Sequence, residues 1–262
     1  MAKNLTNIDF FISHSREIKQ NIAIPLAQTL SALGFNVWLD KKGILAGDDI
    51  FKEIKEAISK SKYCIALIDT SFLSREWPKK EIELFSHREK EEERIIIFPI
   101  YIDTKTELVY KAIPHLKNRA FEMLKNEFFN RKLNLDIVSR IIERFFDDSS
   151  TAHLEKAGNE IINYSFPCKD TLFTLLSCKQ YYSNDLRLAT MEICNIGGLV
   201  IAIYNALAPS KNKTLEICLN FCNTLRDGCF NVDYPISYSM YNAATKVVIS
   251  SMNQLKSILD VK

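Results

Sequence analysis

A carboxylate on the apolar side of a helix is the residue in this sequence best placed for chemistry. At about 100° per residue, Trp77, Pro78, Ile82, Leu84 and Phe85 fill one arc, and Lys79, Lys80, Glu83, Ser86 and His87 point the other way. Glu81 lies inside the apolar arc. A carboxylate turned inward is costly when unpaired, so such a placement signals a partner or a function. Pro78 fits only the first turn of a helix, which puts Glu81 close to the helix start. Offsetting the positive end of the helix dipole, or pairing with a nearby cation, is the plain structural role for a glutamate there.

The other polar candidates close apolar runs that read as strands: Ser13-His14-Ser15, Asp40-Lys41-Lys42, Asp69-Thr70-Ser71 and Asp103-Thr104. In open parallel sheets, ligands bind beyond such carboxyl ends, where the strand order reverses. Asp69 would suit the phosphoacceptor of a receiver-type domain. That chemistry also needs acidic residues after the first strand to hold Mg²⁺, and Ser13-His14-Ser15 supplies none. No G-x-G-x-x-G follows the first strand, which disfavours a dinucleotide-binding Rossmann domain. Cys218 and Cys222 stand one helical turn apart, but His14, His87, His115 and His153 are distant in sequence. They read as buried thiols, with no metal expected.

The elements that must position these residues are successive βα units, seen as short apolar runs alternating with amphipathic stretches. Strands are predicted at 9–13, 35–39, 63–68, 94–102 and 119–123. A helix through Ile18, Ile22, Leu26, Leu30 and Leu33 stops at Gly34, where a left-handed residue is cheap. Further helices carry Ile50, Phe51, Ile54, Ala57 and Ile58, then residues 77–92 and 133–146. The run 63–68 is apolar on both faces and belongs mid-sheet, whereas Pro99 places its part of strand four near an edge or a bulge. Residues 147–151, Asp-Asp-Ser-Ser-Thr, break the pattern. They divide an α/β domain, 1–147, from a mainly helical one, 148–262, with helices at 152–163, 170–182, 184–208, 212–226 and 238–260.

With 47% hydrophobic and 25% charged residues, the 262-residue chain is globular. A net charge of +2 gives no electrostatic footprint for nucleic acid. The N-terminus lacks a signal-peptide core, and the apolar stretch 193–208 falls short of the roughly 20 residues that span a bilayer. A cytoplasmic protein with no membrane partner is expected, and seven cysteines without an export signal read as reduced thiols.

Several runs together are similar to one family. Asp9-Phe10-Phe11-Ile12-Ser13-His14-Ser15, Gly34-Phe35-Asn36-Val37-Trp38-Leu39-Asp40 and Leu45-Ala46-Gly47-Asp48-Asp49-Ile50 resemble the opening of a TIR domain through its BB loop. Ala57-Ile58-Ser59-Lys60-Ser61, Ser71-Phe72-Leu73-Ser74 and Trp77-Pro78-Lys79-Lys80-Glu81 are similar to its remaining boxes, in order, within about residues 8–146. Ala46 stands where many relatives have proline, and Pro78 where many have cysteine.

The resemblance implies a flavodoxin-like sheet of order 2-1-3-4-5 and a bacterial NAD-cleaving enzyme with Glu81 catalytic. Trp77, Ser13, His14, Ser15 and Asp40 would line the substrate site, and Gly43, Ile44, Leu45, Ala46, Gly47 and Asp48 would form the self-association loop. NAD is then the substrate and no cofactor is needed. Nicotinamide already leaves as a cation's neutral product, so a carboxylate that steadies positive charge on the ribose, or holds its hydroxyls, suffices. The products would be nicotinamide and ADP-ribose, or a cyclised form. A homo-oligomer assembled through both domains, answering to a small-molecule or protein activator, would serve as an immune or cell-suicide effector. The alternative is a non-catalytic TIR scaffold that signals by self-association.

Overall fold

The structure, a computed structural model, describes residues 7–39, 50–125, 131–147, 153–178, 184–231 and 233–261. Its internal contacts divide the chain into two units, Met1–Leu133 and Asn134–Lys262.

In the first unit a five-stranded sheet has the order β2-β1-β3-β4-β5, with every neighbouring pair parallel. The strands are β1 (Ile8–His14), β2 (Val37–Leu39), β3 (Ser61–Ile68), β4 (Ile97–Ile102) and β5 (Glu122–Leu124). The helices are α1 (Ile24–Ala32), α2 (Ile50–Lys60), α3 (Thr70–Ser74), α4 (Glu76–Glu92) and α5 (Thr106–Ala112). This is the flavodoxin-like order expected from the sequence. Apart from Lys62, β3 is buried along its whole length, as a central strand covered on both faces must be.

Local chemistry accounts for where the elements stop. Gly34 adopts φ 105° after α1. Its N–H donates to Ser31 O at 3.0 Å, and the Phe35 N–H to Leu30 O at 3.1 Å, the paired bonds of a Schellman cap. The start of the same helical stretch is less regular than its periodicity implies. Pro25 has no N–H to return to the preceding turn, and a π turn over Lys19–Ala23 precedes it, closed by Ala23 N donating to Ile18 O at 3.2 Å.

Pro99 sits in register with Ala66 on β3, while the ladder to β5 begins only at Ile100. The missing donor therefore falls where β4 is locally an edge. The fifth strand begins three residues later than 119–123 suggests, with Arg119 engaged in an ion pair with Glu89, at 2.5 Å, ahead of the strand.

The second unit contains α6 (Arg131–Phe145), taken from Asn134, with α7 (Leu154–Asn159), α8 (Lys169–Ser177), α9 (Leu186–Leu207), α10 (Lys213–Phe230) and α11 (Tyr238–Leu259). The contact boundary thus falls in the first turn of α6, between Leu133 and Asn134, and the rest of that helix lies with the second unit. The reason is specific: Asp136 accepts a hydrogen bond from the Ser237 hydroxyl, and Asp147 is bound by the Lys246 ammonium at 2.7 Å.

α9 falls within the stretch 184–208 that the sequence assigns to a helix. It runs for 22 residues, with a mean hydropathy of 1.6 over its most apolar window, long and apolar enough by composition to cross a membrane. Half of that window is buried inside the structure, where α9 packs on α10 and α11. Gly197 permits the approach: a Cβ there would lie 2.8 Å from Val248 Cγ2 and 3.1 Å from Cys222 Sγ.

Candidate active site

The site is built where α4 crosses the carboxyl end of β1. Phe11 and Ser13 lie on one face of β1, two residues apart, about 6.6 Å along a strand. Phe85 and Glu81 lie on one face of α4, four residues apart, about 6 Å along a helix. The two spacings nearly match, so both pairs meet. Phe85 packs edge-on to Phe11 with ring centroids 5.3 Å apart, and one turn earlier the Ser13 hydroxyl donates to Glu81 Oε2 at 2.5 Å.

Ser13 is fully buried, and Glu81 is only 8% exposed. The bond is charge-assisted and short, of the type that is worth roughly twice a neutral one. Its position follows the general rule for open α/β sheets. The strand order reverses between β1 and β3, so the carboxyl ends of these two strands flank the crevice in which such sheets bind ligands.

Glu81 occupies the sixth position of α4, which begins at Glu76, and so stands beyond the first turn. The helix dipole is felt mainly within that turn. Its partner is thus a side chain on the sheet more than the helix end. Ser86, which the periodicity turned outward, is buried. So is Glu89, two turns past Glu81.

Glu89 shows what a purely structural carboxylate looks like on the same helix. It accepts from the backbone N–H of Ile96 at 2.6 Å and of Ile97 at 2.8 Å, and takes a two-pronged Arg119 guanidinium at 2.8 and 2.5 Å. Its Oε1 fastens α4 to the start of β4, and both oxygens hold Arg119. Both carboxylates act on Cys64 in β3, whose thiol is pushed well above its usual range by burial first, then by the charges of Glu81 and Glu89.

Asp69, at the end of β3, is spent on local structure: it caps α3 by accepting from Phe72 N at 2.8 Å. Its carboxylate performs the role an N-cap aspartate usually performs. His14, half-buried, pairs its Nδ1 with Ser15 O at 2.8 Å, and Ser15 is buried beside it. Trp77 lies one turn before Glu81, partly buried against the core, with the Phe51 ring edge-on at 5.8 Å. Phe51 is 43% exposed and carries the Lys55 ammonium 4.2 Å over its ring. At the rim, Glu17 and Arg75 join the segment after β1 to the residue before α4 at 2.5 Å.

Of the sequence-predicted residues, the structure therefore brings Ser13 and Glu81 into direct contact. Asp40 and the loop residues Gly43, Ile44, Leu45, Ala46, Gly47 and Asp48 lie outside the described residues. Sequence reasoning missed the Ser13–Glu81 pairing and the anchoring role of Glu89. In the second unit Cys194, Cys218 and Cys222 are buried free thiols. Among the described residues no group of three or more histidine, cysteine, aspartate or glutamate side chains is placed to hold a metal.

Residues 10–131 match the family described as TIR domain. The chain is 30% identical over 116 residues to the NAD(+) hydrolase TcpC of Escherichia coli O6:H1, covering 44% of this chain and 38% of that protein. It is 32% identical over 112 residues to the 2' cyclic ADP-D-ribose synthase AbTIR of Acinetobacter baumannii, covering 43% and 41%. A third relative, the NAD(+) hydrolase TcpA of a Theionarchaea archaeon, is 32% identical over 111 residues, covering 42% and 33%. The matches thus span about two fifths of each relative or less. The first unit, whose described strands all fall within or against residues 10–131, contains a TIR domain.

Proposed function

We propose that this TIR domain cleaves the bond between nicotinamide and ribose in NAD, with Glu81 as its essential carboxylate. The observation that carries the reading is the buried Glu81 held by Ser13 at the carboxyl end of β1. The names of the three relatives, two NAD(+) hydrolases and a 2' cyclic ADP-D-ribose synthase, support it.

Nicotinamide departs as a neutral heterocycle and leaves positive charge on the ribose. A carboxylate fixed near that carbon lowers the energy of the oxocarbenium-like transition state, or orients the ribose through its hydroxyls, as carboxylates do in glycoside cleavage. Because the charge develops only on the way to the transition state, its stabilisation raises kcat more than it tightens ground-state binding. Trp77, one turn away, offers an apolar face to the ribose or a base. No general acid is required, and Asp69, at the end of β3, is committed to a cap.

The helical unit sets the degree of assembly in this reading, and the activity serves a bacterial immune or cell-suicide response. Incubating the full chain with NAD over a range of protein concentrations, and separating the products chromatographically, tests the activity. Release of nicotinamide, with ADP-ribose or a cyclic isomer, is expected, with specific activity rising with concentration. Undiminished NAD at every concentration would leave the TIR domain as a self-associating scaffold.

A further inference from the structure

Resting on that reading, we infer that Ser13 is the positioning residue for Glu81: it fixes the carboxylate for the reaction without contacting the substrate. Three observations carry this beyond the expectation that Ser13 lines the substrate site. The side chain is 0% exposed, so a ligand in the crevice does not reach it. A serine hydroxyl has one proton to donate, and that proton is directed to Glu81 Oε2 at 2.5 Å. The third is the backbone. Ser13 is in register with Ala66 of β3, one residue past the last pair that joins β1 to β2, Ile12 with Leu39, so its Oγ projects from a paired position on β1.

The recipient, by contrast, needs holding. A glutamate carboxylate sits at the end of three rotatable bonds, and a displacement of about 1 Å at a reacting centre can cost on the order of 100-fold in rate. Phe85 against Phe11 sets the height of α4 over β1, and Ser13 then selects the rotamer of Glu81 at that height. The hydroxyl therefore acts through Glu81, and its removal affects turnover more than substrate affinity.

The experiment compares steady-state NAD cleavage by the full-length wild-type chain with Ser13→Ala, Ser13→Thr, Glu81→Gln and the Ser13→Ala/Glu81→Gln double variant, with thermal melts of each. Ser13→Ala is expected to lower kcat by roughly 10- to 100-fold with KM changed less than about threefold, the signature of an interaction made for the transition state. Ser13→Thr, which retains a hydroxyl, recovers most of that loss. In the double variant, Ser13→Ala changes the residual rate of Glu81→Gln by less than about twofold, because the group through which it acts is already gone.

An unchanged kcat in Ser13→Ala, or a raised KM with kcat kept, would overturn the assignment and return Ser13 to the substrate's side. So would a full additive loss in the double variant. The outcome that sinks the underlying reading is different: wild-type turnover by Glu81→Gln removes the catalytic carboxylate, and the role of Ser13 falls with it.

Discussion

Ser13 and Glu81 are 68 residues apart in sequence and joined by a 2.5 Å hydrogen bond, because α4 lies over β1 with Phe85 on Phe11 and Glu81 on Ser13. The helix runs against the strand, so one aromatic contact fixes the position of the other pair. Packing in the core and geometry at the site are one arrangement. Changes that let α4 shift should therefore reach Glu81 even when they lie far from it.

Glu89 is the most exacting test of that anchoring. Replacing it with alanine leaves the Arg119 guanidinium and the N–H groups of Ile96 and Ile97 without their acceptor in a buried setting. Removing one partner of a buried ion pair typically costs about 3–5 kcal/mol. Because Arg119 is 24% exposed, the lower end, about 3 kcal/mol, is expected. Urea unfolding of the Glu89→Ala chain should show the loss in the TIR transition, whereas a change below about 1 kcal/mol would mean that the clamp is dispensable.

In the second unit Gly197 should tolerate no side chain. The methyl of Gly197→Ala meets Val248 of α11 at 2.8 Å and Cys222 of α10 at 3.1 Å, where three helices pack together. Overpacking of this kind costs roughly 1–3 kcal/mol. Gly198, the next residue, has nothing within 4 Å of an added Cβ. Gly198→Ala should be neutral or slightly stabilising, since alanine is the better helix former. The difference between the two melting temperatures checks the packing of α9 directly.

A pH-dependent contribution is expected at Asp147. The hydrogen bond from Lys246 is the main cause of a carboxyl pKa below its ordinary 3.8, with the charges of Lys246 and Arg144 adding to it and burial opposing. A depressed carboxylate stabilises the fold above its unfolded pKa, and that stabilisation disappears as pH falls through the folded value. The Asp147 side chain is 40% exposed, which limits the effect to about 1 kcal/mol or less. Asp147→Asn should therefore lower stability slightly at pH 7 and match the parent chain near pH 2. Equal stabilities at pH 7 would remove the interaction from the account.

The cysteines divide by access. Cys168 and Cys178 are exposed, while Cys64, Cys194, Cys218, Cys222 and Cys229 are buried. Burial pushes the Cys218 thiol up to about 12 and Cys64 well above its usual range, which deprives both of reactive thiolate. A thiol reagent at neutral pH should label two cysteines rapidly in the folded chain and the remaining five only on unfolding. Rapid labelling of Cys222 would mean that the contact of α9 with α10 opens readily.

Much of this arrangement was legible in the residues, and the exceptions have physical causes. The two-sided apolar run in β3 and the Gly34 stop identified their elements because local chemistry alone decides them. The π turn before Pro25 was hidden, since apolar spacing does not distinguish a π turn from an α-helical one. β5 was placed too early, and the apolar pattern does not show that Arg119 is drawn to Glu89. Glu81 stood out as a carboxylate on an apolar arc, yet its partner did not. Finding Ser13 requires knowing that α4 crosses β1, a tertiary fact available only once Phe11 and Phe85 are seen in contact.

The central claim is most directly tested by the turnover of the Glu81→Gln chain. Glutamine keeps the size of the side chain and can still meet Ser13, but it removes the negative charge that the developing ribose cation needs. Purified full-length Glu81→Gln, with a melting temperature close to that of the parent, should release nicotinamide from NAD at least about 100-fold more slowly, as when a single electrostatic contact to a transition state is deleted. A rate equal to that of the parent chain would contradict the account.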